Sequence, residues 1–173
     1  MLVAMAGLPG SGKSTVAEHL AKQWGVAIVS VDPLESAILR AGIAHDQPTG
    51  LAAYLVAETI ADAVLRAGQS IIVDAVNAVA PARDQWVLLG DRLGVDVRFI
   101  ETVCSDVAVH RQRLEARRRD LAHLTEPTWH AVEQSLDEYA SWSGLAEARP
   151  RLTLDTVAPL SDLVEQASAF LRT

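Results

Sequence analysis

The sequence predicts an α/β fold in which a five-stranded parallel sheet is held between two layers of helices, a three-layer α/β/α sandwich. Three observations carry this. Apolar runs of strand length alternate along the chain with stretches of helical periodicity. Several of these runs are apolar throughout rather than at every second residue, as in strands covered on both faces. A glycine-rich segment, Gly7-Leu8-Pro9-Gly10-Ser11-Gly12-Lys13-Ser14, separates the first strand from the first helix. Connections between such strands are right-handed crossovers. With no repeat, low-complexity tract or linker, residues 1–173 read as one domain.

The first strand is Leu2-Val3-Ala4-Met5-Ala6. The segment after it fits the phosphate-loop pattern G-x-x-x-x-G-K-[ST] at every fixed position, with Thr15 following. Backbone N–H groups can wrap a triphosphate only where side chains leave room, and Gly7, Gly10 and Gly12 leave it three times. The whole stretch, including Pro9 and Ser11, is therefore the expected ATP cradle. Lys13 reaches the β- and γ-phosphates as a point charge, and the Ser14 hydroxyl ligates magnesium. Val16, Leu20 and Trp24 then recur at helical spacing, so a helix begins here and aims its positive end at the same anion.

Val26 to Val31 reads as the second strand, closed by Asp32-Pro33, a helix-start signal that Leu34, Ile38 and Leu39 continue. The stretch from Gly42 to Gly50 is a connection, and Leu51 to Ala67 a helix stopped by Gly68. Ser70-Ile71-Ile72-Val73-Asp74 is a third strand ending in a carboxylate. A helix from Pro81 to Leu93 stops at Gly94, and Val95, Val97 and Phe99 alternate in a fourth strand. Asp106 to Arg119 is helical, with Val107, Leu114 and Leu121 on one stripe. Trp129, Val132, Leu136 and Tyr139 mark a further helix. Leu152 to Asp155 is the last strand, and Leu160, Leu163, Val164, Ala167 and Leu171 close the chain with an amphipathic helix.

Half the residues are hydrophobic and 21% charged, as in a water-soluble globular protein. The net charge of −7 argues against a broad footprint on nucleic acid. The single cysteine, Cys104, cannot form an internal disulfide, the apolar N-terminus has no basic flank, and no run reaches membrane-span length, so the expected location is the cytoplasm. His19, His45, His110, His123 and His130 show no metal-ligand spacing.

Basic charge is concentrated in Arg111, Arg113, Arg117, Arg118 and Arg119. With Leu114 as the core direction, Arg111, Arg117 and Arg118 lie within about 60° of it on a helix, where solvated arginines are unexpected. That placement fits a phosphate site; an arginine-rich surface with pairs such as Arg111 to Glu115 is the competing reading. Asp74 sits where ligands gather at the carboxyl edge of a parallel sheet, in the Walker B pattern, and is the expected second magnesium contact. Asp32 occupies the equivalent end of the second strand, where it serves as base for an acceptor hydroxyl or as helix N-cap.

These pieces together resemble the small P-loop kinases of the nucleoside-monophosphate-kinase-like group, AAA_33-type, a branch that includes polynucleotide kinase, chloramphenicol phosphotransferase-like and zeta-toxin-like proteins. Gly7 to Thr15, the Asp32 strand end, Ile72-Val73-Asp74 with Asn77 and Arg83, the arginine helix and Leu154-Asp155-Thr156 match in order. The resemblance implies strand order 2-3-1-4-5 and a lid over about 117–128. It also implies that Arg117 meets transition-state charge, that Arg113 contacts the base or phosphates, and that Asp32, Arg40, Asn77 and Arg83 line the acceptor side. Polynucleotide kinase-like members tend to carry arginine three residues after the acceptor-site aspartate. Glu35 stands there in this chain, which with the acidic balance argues against a nucleic-acid end as acceptor. A lid without a cysteine cluster holds no structural zinc.

The expected activity is transfer of the γ-phosphoryl group of ATP to a hydroxyl of a small molecule such as a nucleoside, sugar or antibiotic, with Lys13, Asp32 and Arg117 as catalytic residues. The alternatives are an ATP-binding switch without an acceptor and a polynucleotide-end kinase.

Overall fold

The computed structural model of the chain describes residues 1–117, 121, 123–139 and 141–173, of which 136–138 by backbone only. Five strands form one parallel sheet in the order β2-β3-β1-β4-β5. They are β1 Leu2–Ala6, β2 Ala27–Ser30, β3 Ile71–Asp74, β4 Val97–Val103 and β5 Arg151–Asp155. The central strand β1 is buried along its whole length, pairing Leu2 with Ile71 on one side and Val97 on the other. Among the described residues there are seven α-helices: α1 Lys13–Trp24, α2 Val31–Arg40, α3 Thr49–Arg66, α4 Ala80–Leu93, α5 Val107–Ala116, α6 Trp129–Glu138 and α7 Leu160–Arg172.

The two faces are closed differently. On one, Val16, Ala17 and Leu20 of α1 and Leu163, Ala167 and Leu171 of α7 bury Val3, Met5, Ile72 and Ile100. On the other, α3 brings Ala53, Ala57 and Ala61 within reach of the sheet, a stripe of methyls at i, i+4 spacing that lets the helix lie close, and α4 adds Trp86, Val87 and Leu89. Each fully buried large aliphatic side chain stabilises the fold by about 1.5–3 kcal/mol. Gly25 and Gly94 end α1 and α4 in the left-handed conformation that glycine adopts without strain.

Several boundaries differ from the sequence expectation, each for a local reason. The second strand stops at Ser30, which pairs with Asp74, and Val31 already turns into α2. Ser30 is thus the helix N-cap position, and Asp32 lies inside the first turn, where a carboxylate favours the helix dipole. The fourth strand begins at Val97 and runs on to Val103. Its alternation was misleading because Phe99, Ile100, Glu101 and Thr102 are all buried, as in a strand covered on both faces. The arginine helix α5 ends at Ala116, since Arg117 has an extended backbone. Arg118 and Arg119 lie outside the described residues, as do parts of the expected lid and the Leu136 side chain. A 3-10 turn at Gly144–Ala148 leads into β5, unannounced by the sequence. Among the described residues no helix is long and apolar enough to cross a membrane.

Candidate functional site

The loop after β1 is fixed from outside. Gly7, at φ 139°, leaves so little room that a Cβ there would lie 2.5 Å from the Thr102 carbonyl oxygen. Its N–H donates to the Val76 carbonyl at 3.0 Å, and the Ser11 and Thr102 hydroxyls share a buried 2.7 Å hydrogen bond. His110, buried on α5, sits 2.8 Å from the Pro9 carbonyl; a carbonyl only accepts, so Nε2 carries the proton and donates. Trp129 stacks edge-on against this imidazole at 5.3 Å. Lys13, Ser14 and Thr15 follow as the first turn of α1, where a helix offers its N–H groups no acceptor of its own.

Beside the loop opens a cavity of about 400 Å³ lined by Gly12, Lys13, Ser14, Arg113, Arg117, Thr156 and Leu160 among others. That size suits a nucleotide-sized ligand. Arg113 is held flat along one wall, its two Nη groups donating to the Thr156 hydroxyl at 2.9 Å and carbonyl at 3.0 Å. Thr156 also faces Gly12, where a Cβ would come within 3.1 Å of its methyl carbon.

At the carboxyl edge of the sheet the Lys13 Nζ lies 3.8 Å from Asp74 Oδ1, both side chains buried. Asp74 Oδ2 accepts a hydrogen bond from Ser30 at 3.1 Å, while Oδ1 is buried with no hydrogen-bond partner among the described residues. A buried carboxylate oxygen left in this way and the Ser14 hydroxyl on the cavity wall are hard oxygen donors of the kind magnesium takes. The residues present therefore fit the ion.

Asp32 is half-exposed and stands 3.9 Å from the Arg117 Nη2; Arg117 in turn lies 4.0 Å from Glu126. Arg117 thus reaches from the nucleotide cavity toward Asp32, and its direction is set by the turn after α5 rather than by helical phase. Around Asp32 are Glu35, which accepts a 2.8 Å hydrogen bond from Thr49, and Tyr54, whose hydroxyl accepts from the Asn77 N–H at 3.2 Å. Burial pushes the Tyr54 phenol up to about 12. The Asn77 N–H acts the other way, and Asp32, Asp74 and Glu35 add to the rise.

Four of the residues singled out in the sequence have other surroundings than the reading of it suggested. Asn77 and Arg83 do not line an open acceptor side, because both are fully buried. The Asn77 amide donates to the Met5 carbonyl at 2.6 Å and accepts from Trp86 at 3.0 Å. Arg83 donates to the carbonyls of Asn77, Ala78 and Ser141, with Trp142 stacked 4.3 Å from its guanidinium. These polar groups answer buried backbone carbonyls that would otherwise lack partners. Arg111 is exposed and paired with Glu115 at 2.8 Å, so it belongs to the surface reading. Arg40, the last residue of α2, is exposed at the end of that helix remote from Asp32.

His110 was considered only as a metal ligand, although it stands four residues before Leu114 and hence on the same buried side of α5. Tyr54 and Thr102 had no signal, since only packing of distant segments brings them here.

The AAA_33 model, described as AAA domain, matches residues 2–141. The chain belongs to that family. Among curated proteins none matches it in sequence. Solved structures share its P-loop kinase-like fold along nearly the whole chain. A sugar kinase from Janibacter sp. HTCC2649 is 21% identical with a TM-score of 0.72, covering 99% of this chain and 94% of that one. Kti12 of Chaetomium thermophilum, in complex with ADP-AlF3, is 16% identical with a TM-score of 0.73, at 98% of both chains. An APS kinase of Mycobacterium tuberculosis, in complex with AMPPNP and APS, is 17% identical with a TM-score of 0.63, covering 99% and 97%.

Proposed function

We propose that this AAA_33 protein transfers the γ-phosphoryl group of ATP to a hydroxyl of a small molecule. The observation that carries the reading is the bridge made by Arg117, which lines the nucleotide cavity and stands 3.9 Å from Asp32. A carboxylate suited to take an acceptor's proton is thereby held at the mouth of a phosphate-binding loop.

ATP enters the cavity with its phosphates on the amides from Gly7 to Thr15, including those of Gly10, Ser11 and Gly12, and with Lys13 at the β- and γ-phosphates. Arg113 flanks the nucleotide from the wall it shares with Thr156. Ser14 and Asp74 would hold magnesium, which when bound would supply positive charge to offset that of the phosphates. Asp32 accepts the acceptor's hydroxyl proton as its oxygen bonds to the γ-phosphorus and the bond to the β–γ bridging oxygen breaks, releasing ADP. Arg117 is placed to meet the charge that spreads over the transferring group. Kinase neighbours of the same fold, a sugar kinase and an APS kinase, support the class.

The test is transfer from labelled Mg-ATP to nucleosides, sugars, antibiotics and oligonucleotide ends, with Lys13→Ala and Asp32→Ala alongside. Transfer to one class, lost in both variants, is the expected result. ATP binding that survives Asp32→Ala with no transfer to any member would replace the kinase with a nucleotide-dependent switch, in which the Arg117–Asp32 pair reports occupancy instead of catalysing.

A further inference from the structure

The turn inside the phosphate loop can be made in two ways. The Ser11 N–H donates to the Leu8 carbonyl at 3.1 Å, which closes a β-turn with Pro9 and Gly10 at its centre. Proline at the second position suits both common turn types. They differ by a half-rotation of the central peptide, here the one joining Pro9 to Gly10, and the third residue then lies at a φ of about −90° or about +80°. Gly10 stands at φ 82°, the second form, and glycine takes either sign at little cost. The local sequence therefore admits both directions of this peptide.

A neighbour outside the loop selects one of them. The Pro9 carbonyl accepts from His110 Nε2 at 2.8 Å, and His110 is buried on α5. The peptide is trans and planar, so the Gly10 N–H leaves it on the side opposite to that carbonyl. Gly10 lines the nucleotide cavity, and no backbone carbonyl among the described residues accepts from its N–H. The half-rotated peptide would put the Pro9 oxygen where the Gly10 N–H now points, and an oxygen there would repel an anion.

His110 is itself confined. Trp129, the first residue of α6, meets its ring edge-on at 5.3 Å. A Cβ on Gly10 would lie 3.1 Å from His110 Cδ2 and 3.2 Å from Leu114 Cβ, so α5 rests directly on the turn. Leu8, where the turn begins, packs with Leu114 of α5 and Val132 of α6.

We propose that His110 is a positioning residue for the triphosphate: its Nε2–H holds the Pro9 carbonyl against α5 and thereby turns the Gly10 N–H toward the phosphates. The assignment rests on the ATP reading above. His110 touches no substrate and acts only through the peptide it orients. Without the donor the Pro9 carbonyl loses its partner, and its rotation toward water withdraws the Gly10 N–H.

The test compares His110→Gln with His110→Met in the full chain. The two side chains are alike in length and shape, but only glutamine can donate from an amide nitrogen to the Pro9 carbonyl. His110→Phe, which keeps an aromatic ring against Trp129 without a donor, takes the place of the methionine variant if that one fails to fold. Affinity for the magnesium complex of a non-hydrolysable ATP analogue is measured by calorimetry, the Gly10 amide is followed by heteronuclear NMR as the analogue is added, and Tm is recorded for each variant. The variant without a donor is expected to bind the analogue about tenfold more weakly than the parent, with the Gly10 resonance no longer moved as it is in the parent; glutamine is expected to restore both. A lowered Tm with the Gly10 response intact in the variant without a donor assigns His110 to packing and overturns the proposal. Equal affinity and an equal Gly10 shift with and without the donor also overturn it and leave the ATP reading standing. No binding of the analogue to the parent overturns the ATP reading and the proposal with it.

Discussion

The phosphate loop is one continuous segment, Gly7 to Thr15, held by the surrounding protein; the proposed acceptor side draws Asp32 and Glu35 from α2 and Tyr54 from α3, with no two of these side chains nearer than three residues in sequence. The first grips through backbone amides and cations. The second presents carboxylates and a phenol. The contrast shows how a fold keeps one ligand and exchanges another: the segment that grips phosphate has residue types dictated by close backbone approach, whereas the acceptor surface is an outcome of packing.

The largest effect expected separates the halves directly. Lys13→Ala should lower transfer by about a thousandfold and weaken ATP binding as well, since Lys13 serves the phosphates in both ground and transition states. Single-turnover rates and nucleotide titration measure both losses. Asp32→Asn should cost about a hundredfold in transfer while leaving the dissociation constant for ATP close to that of the parent. Equal loss of nucleotide affinity in the two variants would erase the distinction between the sides.

Arg83→Met tests whether the acceptor turn is held from within. It strands three carbonyls, so unfolding should become easier by about 3 kcal/mol, lowering Tm by about 6–12 °C in thermal denaturation. A variant of unchanged Tm but lost transfer would return Arg83 to the reacting centre.

The phenols give a pH test. Tyr54 is pushed up to about 12, and Tyr139 is also raised, in each case first by burial and then helped by nearby carboxylates. A folded-state pKa above the unfolded value means the contribution to stability is complete below about pH 10 and declines as pH rises toward 12. Phenolate absorbance in the native protein should therefore lag behind free tyrosine, and thermal stability should fall over that window. Ionisation of Tyr54 near its ordinary value would show that its hydroxyl is not enclosed among Asp32, Glu35 and Asp74.

The smallest effect is expected at Arg111. Its pairing with Glu115 is solvent-exposed, so Arg111→Ala should change neither Tm nor transfer measurably. A clear loss of transfer would extend the nucleotide side along α5.

The unequal legibility of the two sides follows from this construction. The phosphate loop and the strand order follow from local spacing, from apolar runs and from the resemblance those carry. Arg117 came from the right stretch for a wrong geometric reason, because the helix that was to aim it stops one residue earlier. Asn77 and Arg83 were put on the acceptor side by the resemblance alone, whereas here both are buried and answer backbone carbonyls. Sequence patterns do not count unsatisfied backbone groups. Tyr54 escaped notice entirely, since its position opposite Asn77 depends on how α3 lies on the sheet.

Thr156 has a further consequence. It supports Arg113, abuts Gly12 and, with Leu160, lines the cavity, yet it lies beyond residues 2–141, the region the family model matches. In the proposed function, the wall flanking the nucleotide would thus be recruited from a different part of the chain than the grip on its phosphates. In the history of such a protein, the preferred base can drift by substitutions around Thr156 and Leu160 while the chemistry of transfer stays intact.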